Sequence, residues 1–390
     1  MFWCINSHII LRLYMANISL YFHIPFCARK CPYCGFFSRS NKSQLWQNYF
    51  EALKVELLNY KSDLKDTFID SIYIGGGTPT LVPADNIYHL LKTLESNFCI
   101  NKNCEITLEC NPESLTKDKL LTYQKSNINR LSIGIQTTNR QLLREIGRNY
   151  TFETVKEKYQ LVRKLGFNNI NLDLIFGFPK QSLESFETDL QNIIELNPEH
   201  IACYGLELDE KSYWGRLNNL GKFEPVSNEL NRQMYHMAIK LLKKAGYKHY
   251  EISNWAKLGF ECRHNYSFWQ YQPYIGIGAG AHSFCQFKRW SNVENIERYI
   301  VNINRHRINN NKKITTKKVD IDKEKLMLGL RLREGIDQDK LTLEFVKKFD
   351  PFLTALINEG LLTKSDNTIY LTEKGLDVEN QVIKYFFDAI

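Results

Sequence analysis

From Ile18 onward, short runs rich in β-branched and aromatic residues alternate with longer segments of helical periodicity. The strand-like runs are Ile18–Ile24, Ser71–Ile74, Glu105–Glu109, Arg130–Ile135, Asn169–Ile175 and His200–Leu206. The helical segments between them include Gln44–Tyr60, Ala84–Phe98, Thr116–Lys125, Thr151–Leu165 and Leu183–Leu196. Such alternation predicts parallel strands, because a parallel pair needs a long crossover, usually a helix. Six units spaced by roughly 25 to 50 residues predict an α/β fold, a partial (β/α)6 barrel rather than a full eightfold one.

Beyond Glu210 the rhythm changes. Asn228–Ala245 reads as an amphipathic helix, and Tyr266–Phe287 is aromatic and glycine-rich. A charged connector around Asn309–Asp320 leads into C-terminal helices with a short hairpin at Leu361–Leu371, a winged-helix-like pattern. The expected boundaries are a barrel over 18–225, a barrel-flanking segment over 226–307 and a C-terminal domain over 308–390. Residues 1–17 read as an extension or a misassigned start, with Met15 as the alternative initiator. Met1–Tyr14 is apolar but interrupted by Arg12, and it falls short of the roughly 18 apolar residues of a membrane span.

Composition narrows the class only a little. In 390 residues, 43% hydrophobic and 24% charged content are ordinary for a globular protein, with room for two or three domains. Ten cysteines are too dilute for a secreted scaffold and match a reducing cytosol. The net charge of +8 favours acidic partners or a membrane surface, yet Lys312, Lys313, Lys317 and Lys318 read more simply as a solvated face. No nucleic-acid-binding signature stands out, so nucleic acid is not an expected partner.

The chemistry lies at the strand ends, where parallel α/β folds gather their functional groups. After the first strand comes Cys27-Ala-Arg-Lys-Cys31-Pro-Tyr-Cys34, and after the second Gly75-Gly76-Gly77-Thr78-Pro79-Thr80. The third strand ends in Glu109, the fourth in Gln136, and the fifth carries Asp173. Three thiolates are one short of closing a four-iron cluster, so one iron stays open to an external ligand. A zinc site would need a fourth Cys or His from a second pair, which is missing, and an odd number is poor for disulfides. Cys99, Cys104 and Cys110 read as small buried residues. The glycine run lets backbone approach a ligand, although a tight turn alone would use the same residues. Arg148 is a candidate partner for a ligand carboxylate, with a solvated surface arginine as the alternative.

Tyr21-Phe22-His23-Ile24-Pro25-Phe26-Cys27 with Cys31 and Cys34, followed by the Gly75–Thr80 run, resembles the radical S-adenosylmethionine superfamily. Within it the chain is similar to the branch holding oxygen-independent coproporphyrinogen dehydrogenase (HemN) and the haem chaperone HemW, over nearly all of its length from Ile18. The resemblance implies a 4Fe–4S cluster on Cys27, Cys31 and Cys34, with S-adenosylmethionine on the fourth iron. It places the cofactor contacts on Tyr21, Tyr33, Gly76, Gly77, Thr78, Glu109, Gln136, Arg148 and Asp173.

Two departures choose within that branch. The dehydrogenase pattern has a further cysteine two positions after the third, where this chain has Phe36; the chaperone side has an aromatic there. Cys262-Arg263-His264-Asn265-Tyr266-Ser267-Phe268-Trp269 resembles the chaperone's His-Asn-x-x-Tyr-Trp signature, with Phe268 in place of the tyrosine. His264, Asn265 and Trp269 thus become haem candidates, imidazole being a common axial ligand. His282 is a second candidate, and a packed core histidine remains the plain alternative. The expected function is a haem chaperone delivering haem, its cargo, to apo-haemoproteins. The rival is a radical enzyme acting on coproporphyrinogen III, and a purely structural cluster is a third reading. A cytoplasmic location is expected; attachment to the inner membrane face and homodimerisation stay open.

Overall fold

The computed structural model describes residues 17–305, 311–315 and 318–389. The expected N-terminal extension apart from Asn17, residues 309–310 and 316–317 of the connector, and the side chains of Lys312, Lys313, Lys317 and Lys318 lie outside the described residues.

Six strands stand side by side in chain order: β1 (Asn17–Ile24), β2 (Phe68–Gly76), β3 (Cys99–Cys110), β4 (Arg130–Gln136), β5 (Ile170–Phe176) and β6 (His200–Gly205). Every neighbouring pair among them is parallel. Sequential order with right-handed crossovers puts all the connecting helices on one face and leaves the other to line a barrel interior. The side chains obey that division with period two. Leu20, Phe22, Ile72, Ile74, Leu108, Leu131, Ile133, Leu172, Leu174 and Ile201 are buried in the hydrophobic core. The alternate positions are polar: Ser19, Tyr21 and His23; Ser71 and Tyr73; Glu105, Thr107 and Glu109; Arg130 and Ser132; Asn171 and Asp173; His200. They hydrogen-bond to one another across strands, as in Ser71 to Ser19 (2.8 Å) and Asn171 to Ser132 (2.8 Å). The inner face of these strands is therefore a hydrogen-bonded polar layer rather than a packed apolar plug.

The helices start where their caps dictate. Thr116, Thr151, Ser182 and Ser227 each accept a backbone N–H of the first turn, satisfying a donor that has no intrahelical partner. The sheet extends further than the six expected strands. At its far edge β7 (Lys248–Glu251) and β8 (Asn254–Ala256) form a hairpin antiparallel to β6. At the near edge β9 (Tyr274–Ile277) runs parallel to β1, followed by antiparallel β10 (His282–Cys285), β11 (Lys288–Ser291) and β12 (Asn311–Thr315). These strands have five residues or fewer and depend on non-local pairing, so periodicity does not reveal them. The short helix Arg140–Glu145 escapes for the same reason.

The C-terminal part has its own hydrophobic cluster, centred on Phe345, Phe349, Leu353, Leu362, Ile369 and Phe386. Its sheet orders β13 (Ile336–Asp337), β15 (Thr368–Leu371) and β14 (Leu362–Ser365), the expected hairpin with one short added strand. One cysteine expectation needs correcting. Cys104 and Cys110 are buried, but Cys99 is exposed, because β3 begins there, ahead of the stretch the core covers.

Candidate functional site

The loop after β1 is shaped by backbone bonds, independently of its thiols. Cys27 N–H donates to Arg39 O at 3.1 Å, Cys34 N–H to Cys31 O at 3.2 Å, and Trp214 N–H to Pro32 O at 2.9 Å. All three cysteines are half-buried. Burial pushes the Cys27 thiol up and the Cys34 thiol to about 11, so both stay protonated until a cation replaces the proton. Among the described residues no three His, Cys, Asp or Glu side chains converge to ligate one ion. The donor set is three thiols spread over one loop, which fits a cluster that takes each thiolate on a different iron better than a tetrahedral zinc ion.

The second rim loop lies against the first. Gly77 N–H donates to Ile24 O at 2.9 Å and Thr78 N–H to Phe26 O at 2.8 Å. Thr78 Oγ1 lies 3.9 Å from Cys27 Sγ, and Asn111 Nδ2 donates to that hydroxyl at 3.1 Å. Glycine is required here by contact. A Cβ on Gly77 would sit 2.7 Å from Phe26 O, and one on Gly75 would sit 2.8 Å from the Glu109 carboxyl carbon. Gly76 has φ +112° and would drive a Cβ into the His23 ring at 2.5 Å, a conformation few L-residues adopt. Gly77→Ala is therefore expected to cost about 1–3 kcal/mol of stability through backbone displacement, and to weaken S-adenosylmethionine binding at least tenfold. Thermal melting and isothermal titration of the reconstituted protein measure both; an unshifted Tm would show that the loop can yield.

Two carboxylates complete the rim. Glu109 accepts from Gly76 N–H at 3.0 Å and from the Tyr73 hydroxyl at 2.9 Å, and burial lifts it to about 7. Burial likewise lifts Asp173 to about 6; it accepts from Asn171 Nδ2 at 2.6 Å and Ser132 Oγ at 3.4 Å. Among the described residues neither forms a direct ion pair, although the Arg130 charge favours the ionised form of both. Gln136 holds φ +74° at the end of β4, where the β4–β5 register shifts between Gly134 and Gln136. Strain of that kind collects at ligand sites.

Arg148 is not a solvated surface arginine. It is half-buried beside Tyr33, Cys31 and Tyr150, and its Nε has no partner among the described residues. A buried guanidinium nitrogen without an acceptor carries a desolvation cost, which a ligand carboxylate would remove. The structure thus brings Tyr21, Tyr33, Gly76, Gly77, Thr78, Glu109, Gln136, Arg148 and Asp173 to the same half of the barrel as the three cysteines. Sequence reading assigned no role to His23, Tyr73 and Asn111, which support that rim; for His23 and Tyr73 the period-two polar positions in otherwise apolar strands were the available signal.

The haem candidates lie on a helix just beneath this rim, where the His264 ring packs 6.4 Å from that of Tyr21. Helix Arg263–Trp269 meets the barrel at Ser71 and Glu105, four residues before the rim positions Gly75 and Glu109. The Glu105 carboxylate accepts from Arg263 N–H at 3.2 Å and His264 N–H at 3.3 Å. His264 turns inward: Nδ1 lies 2.9 Å from Ser71 Oγ, the ring packs 5.1 Å from that of Tyr73, and burial lowers its pKa to about 3. Asn265 is half-buried on the same helix. Trp269 faces the C-terminal part, with Arg331 5.5 Å from its ring centroid and Nε1 without a partner among the described residues. His282 is exposed at the start of β10, and Phe36 is 70% exposed.

A partial barrel with three cysteines on its first rim loop and a glycine run with two acids beside them is the frame of radical S-adenosylmethionine proteins. The model of that superfamily matches residues 21–193, and the HemN C-terminal domain model matches residues 319–378. The structure superposes on coproporphyrinogen III oxidase (HemN) from Escherichia coli, described as a radical SAM enzyme, with TM-score 0.84 over 98% of this chain and 93% of that one. At 22% identity that likeness establishes the fold.

Curated relatives are nearer in sequence. The chain is 34% identical over 373 residues to the heme chaperone HemW of Lactococcus lactis subsp. lactis, covering 94% of this chain and 97% of the relative. It is 31% identical to that of Bacillus subtilis over 95% of this chain and 100% of the relative. The chain belongs to the HemW family of the radical SAM superfamily. Membership implies a 4Fe–4S cluster and S-adenosylmethionine as cofactors.

Proposed function

We propose that the protein is a haem chaperone, binding haem and passing it to apo-haemoproteins. The observation that carries the reading is full-length similarity to relatives named as heme chaperones, joined to an exposed phenylalanine at position 36. Cys27, Cys31 and Cys34 would hold the cluster, whose open iron supplies a binding point for the amine and carboxylate of S-adenosylmethionine. Arg148 is placed to neutralise the cofactor's carboxylate. Glu109 and Asp173 are placed to accept from its hydroxyl and amino groups, and Gly76, Gly77 and Thr78 supply backbone for close approach. Tyr21, Tyr33 and Gln136 would shape the remaining wall. His264, Asn265 and Trp269 are the haem-handling candidates. The Ser71 contact occupies Nδ1, so Nε2 is the nitrogen His264 would offer to haem iron, with Ser71 holding the ring.

A cytoplasmic location goes with this reading, and among the described residues no helix is long and apolar enough to cross a membrane. The charge of +8 favours peripheral contact with an anionic inner-membrane face, and pairing with a second copy is a further extension. The rival reading, a coproporphyrinogen dehydrogenase, is favoured by the complete cofactor rim.

Anaerobic haem titration of the reconstituted protein, followed by its Soret band, tests the proposal beside His264→Ala. Saturable one-to-one binding, weakened about tenfold or more in the variant, is expected; unchanged binding would move the ligand away from His264. Absent haem binding, together with carbon dioxide release from coproporphyrinogen III, would replace the chaperone by the enzyme.

A further inference from the structure

An unbroken row of side-chain hydrogen bonds crosses the barrel interior from the rim to the start of helix Arg263–Trp269. Asn171 Nδ2 donates to Asp173 Oδ1 at 2.6 Å and to Ser132 Oγ at 2.8 Å, which turns the amide oxygen toward His200. His200 Nδ1 lies 2.6 Å from that oxygen and must carry the ring proton. Burial, reinforced by Arg130, keeps the imidazole neutral, so Nε2 is bare and accepts from the Tyr250 hydroxyl at 2.8 Å. The Tyr250 oxygen accepts in turn from Cys262 N–H at 3.3 Å, immediately before the helix. Asn171, His200 and Tyr250 are 3%, 0% and 2% exposed.

The order of donors matters. Every donor in the row points toward Asp173, so the carboxylate polarises each link, and each donor becomes a better acceptor for the one behind it. A ligand hydroxyl donating to Asp173 draws on the same lone pairs and weakens the whole series, including the last bond to Cys262. Sheet pairing already joins β5 to β6 without this row.

We propose that Asn171, His200 and Tyr250 are positioning residues through which S-adenosylmethionine bound at Asp173 loosens the start of helix Arg263–Trp269, linking cofactor occupancy to haem affinity. This rests on the placement of the cofactor and of haem given above. Glu105 holds Arg263 and His264 from a separate strand, so the helix keeps one anchor when the other slackens.

The test is amide hydrogen exchange of the 262–268 segment in cluster-reconstituted protein, with and without S-adenosylmethionine. Exchange near Cys262 is expected to quicken about fivefold or more on cofactor binding, the low end of ordinary site-to-site coupling. The response should vanish in Tyr250→Phe, which keeps the ring, and in His200→Gln, which breaks a different link. It should persist in Glu334→Gln, which alters the Tyr266 contact from the C-terminal side. A response equal in all variants overturns the relay, as does none in the wild type with cofactor bound, or failure of the cofactor to bind. Haem titration with and without cofactor is read separately. Absent haem binding beside an intact exchange response removes the chaperone reading and leaves the relay standing.

Discussion

Replacing any one of Cys27, Cys31 and Cys34 by serine is expected to abolish retention of a four-iron cluster while leaving the fold in place. The loop keeps its shape through the bonds of Cys27 to Arg39, Cys34 to Cys31 and Trp214 to Pro32, none of which uses a thiol. A serine hydroxyl gives up its proton far less readily than a thiol, and burial already lifts Cys34 to about 11. Removing an outer hydrogen-bond partner of a metal ligand typically costs about 10–100-fold in affinity. Loss of a direct ligand is expected to cost at least roughly 100-fold by the same scale. Iron and sulfide per chain after reconstitution and gel filtration, with a thermal melt as the fold control, measure it. A serine variant that kept near-stoichiometric iron and sulfide would move the cluster to other ligands. Cofactor binding should disappear with the iron, because Arg148, Glu109 and Asp173 would then hold S-adenosylmethionine without its anchoring point.

The second large effect concerns stability. Glu56 is fully buried on helix Trp46–Asn59 and accepts from the Tyr299 hydroxyl (2.5 Å), Asn292 Nδ2 (2.7 Å) and Gly278 N–H (2.8 Å). Beside it the Tyr49 hydroxyl accepts from Ala279 N–H at 2.9 Å and donates to His23 O at 2.8 Å. Together they bind the turn after β9 to the strand that carries the cysteine loop. Burial raises the Glu56 carboxyl, a cost accepted because three donors depend on it. Glu56→Ala leaves those three neutral donors without an acceptor; at about 1–3 kcal/mol for each unsatisfied buried donor, partial relaxation leaves a cost of roughly 3–5 kcal/mol. The midpoint of thermal unfolding is then expected to fall by about 5 °C, and Glu56→Gln, which keeps an acceptor oxygen, by about half as much. A fall below about 1 °C in Glu56→Ala, equivalent to under 1 kcal/mol, would mean that the cluster rearranges around the gap.

Glu56 also shows where sequence reading stops. Between Val55 and Leu57 it looks like a solvated acid on an amphipathic helix. Its role comes from Asn292 and Tyr299, more than two hundred residues away. Arg148 is a parallel case: its place in the chain fits a surface residue equally well, and only the approach of Tyr33 and Cys31 sets it at the rim. Cys99, expected to be buried, is exposed because β3 starts before the covering helices reach it. His264 stands beside aromatics in sequence, but its inward turn onto Ser71 and Tyr73 depends on a 193-residue separation being closed.

By itself the sequence determined the six-unit barrel, the cysteine loop, the glycine run and the acids at the strand ends. These are local: periodicity selects strand or helix, short spacing groups the thiols, and parallel strands bring their carboxyl ends to one rim. Only the tertiary structure decided the extra edge strands, the carboxylate that anchors the β9 turn, and the placement of helix Arg263–Trp269 between barrel and C-terminal part. It also made the row from Asp173 to Cys262. Each of these joins residues far apart in the chain, and a hydrogen bond across such a distance leaves no mark on the local pattern.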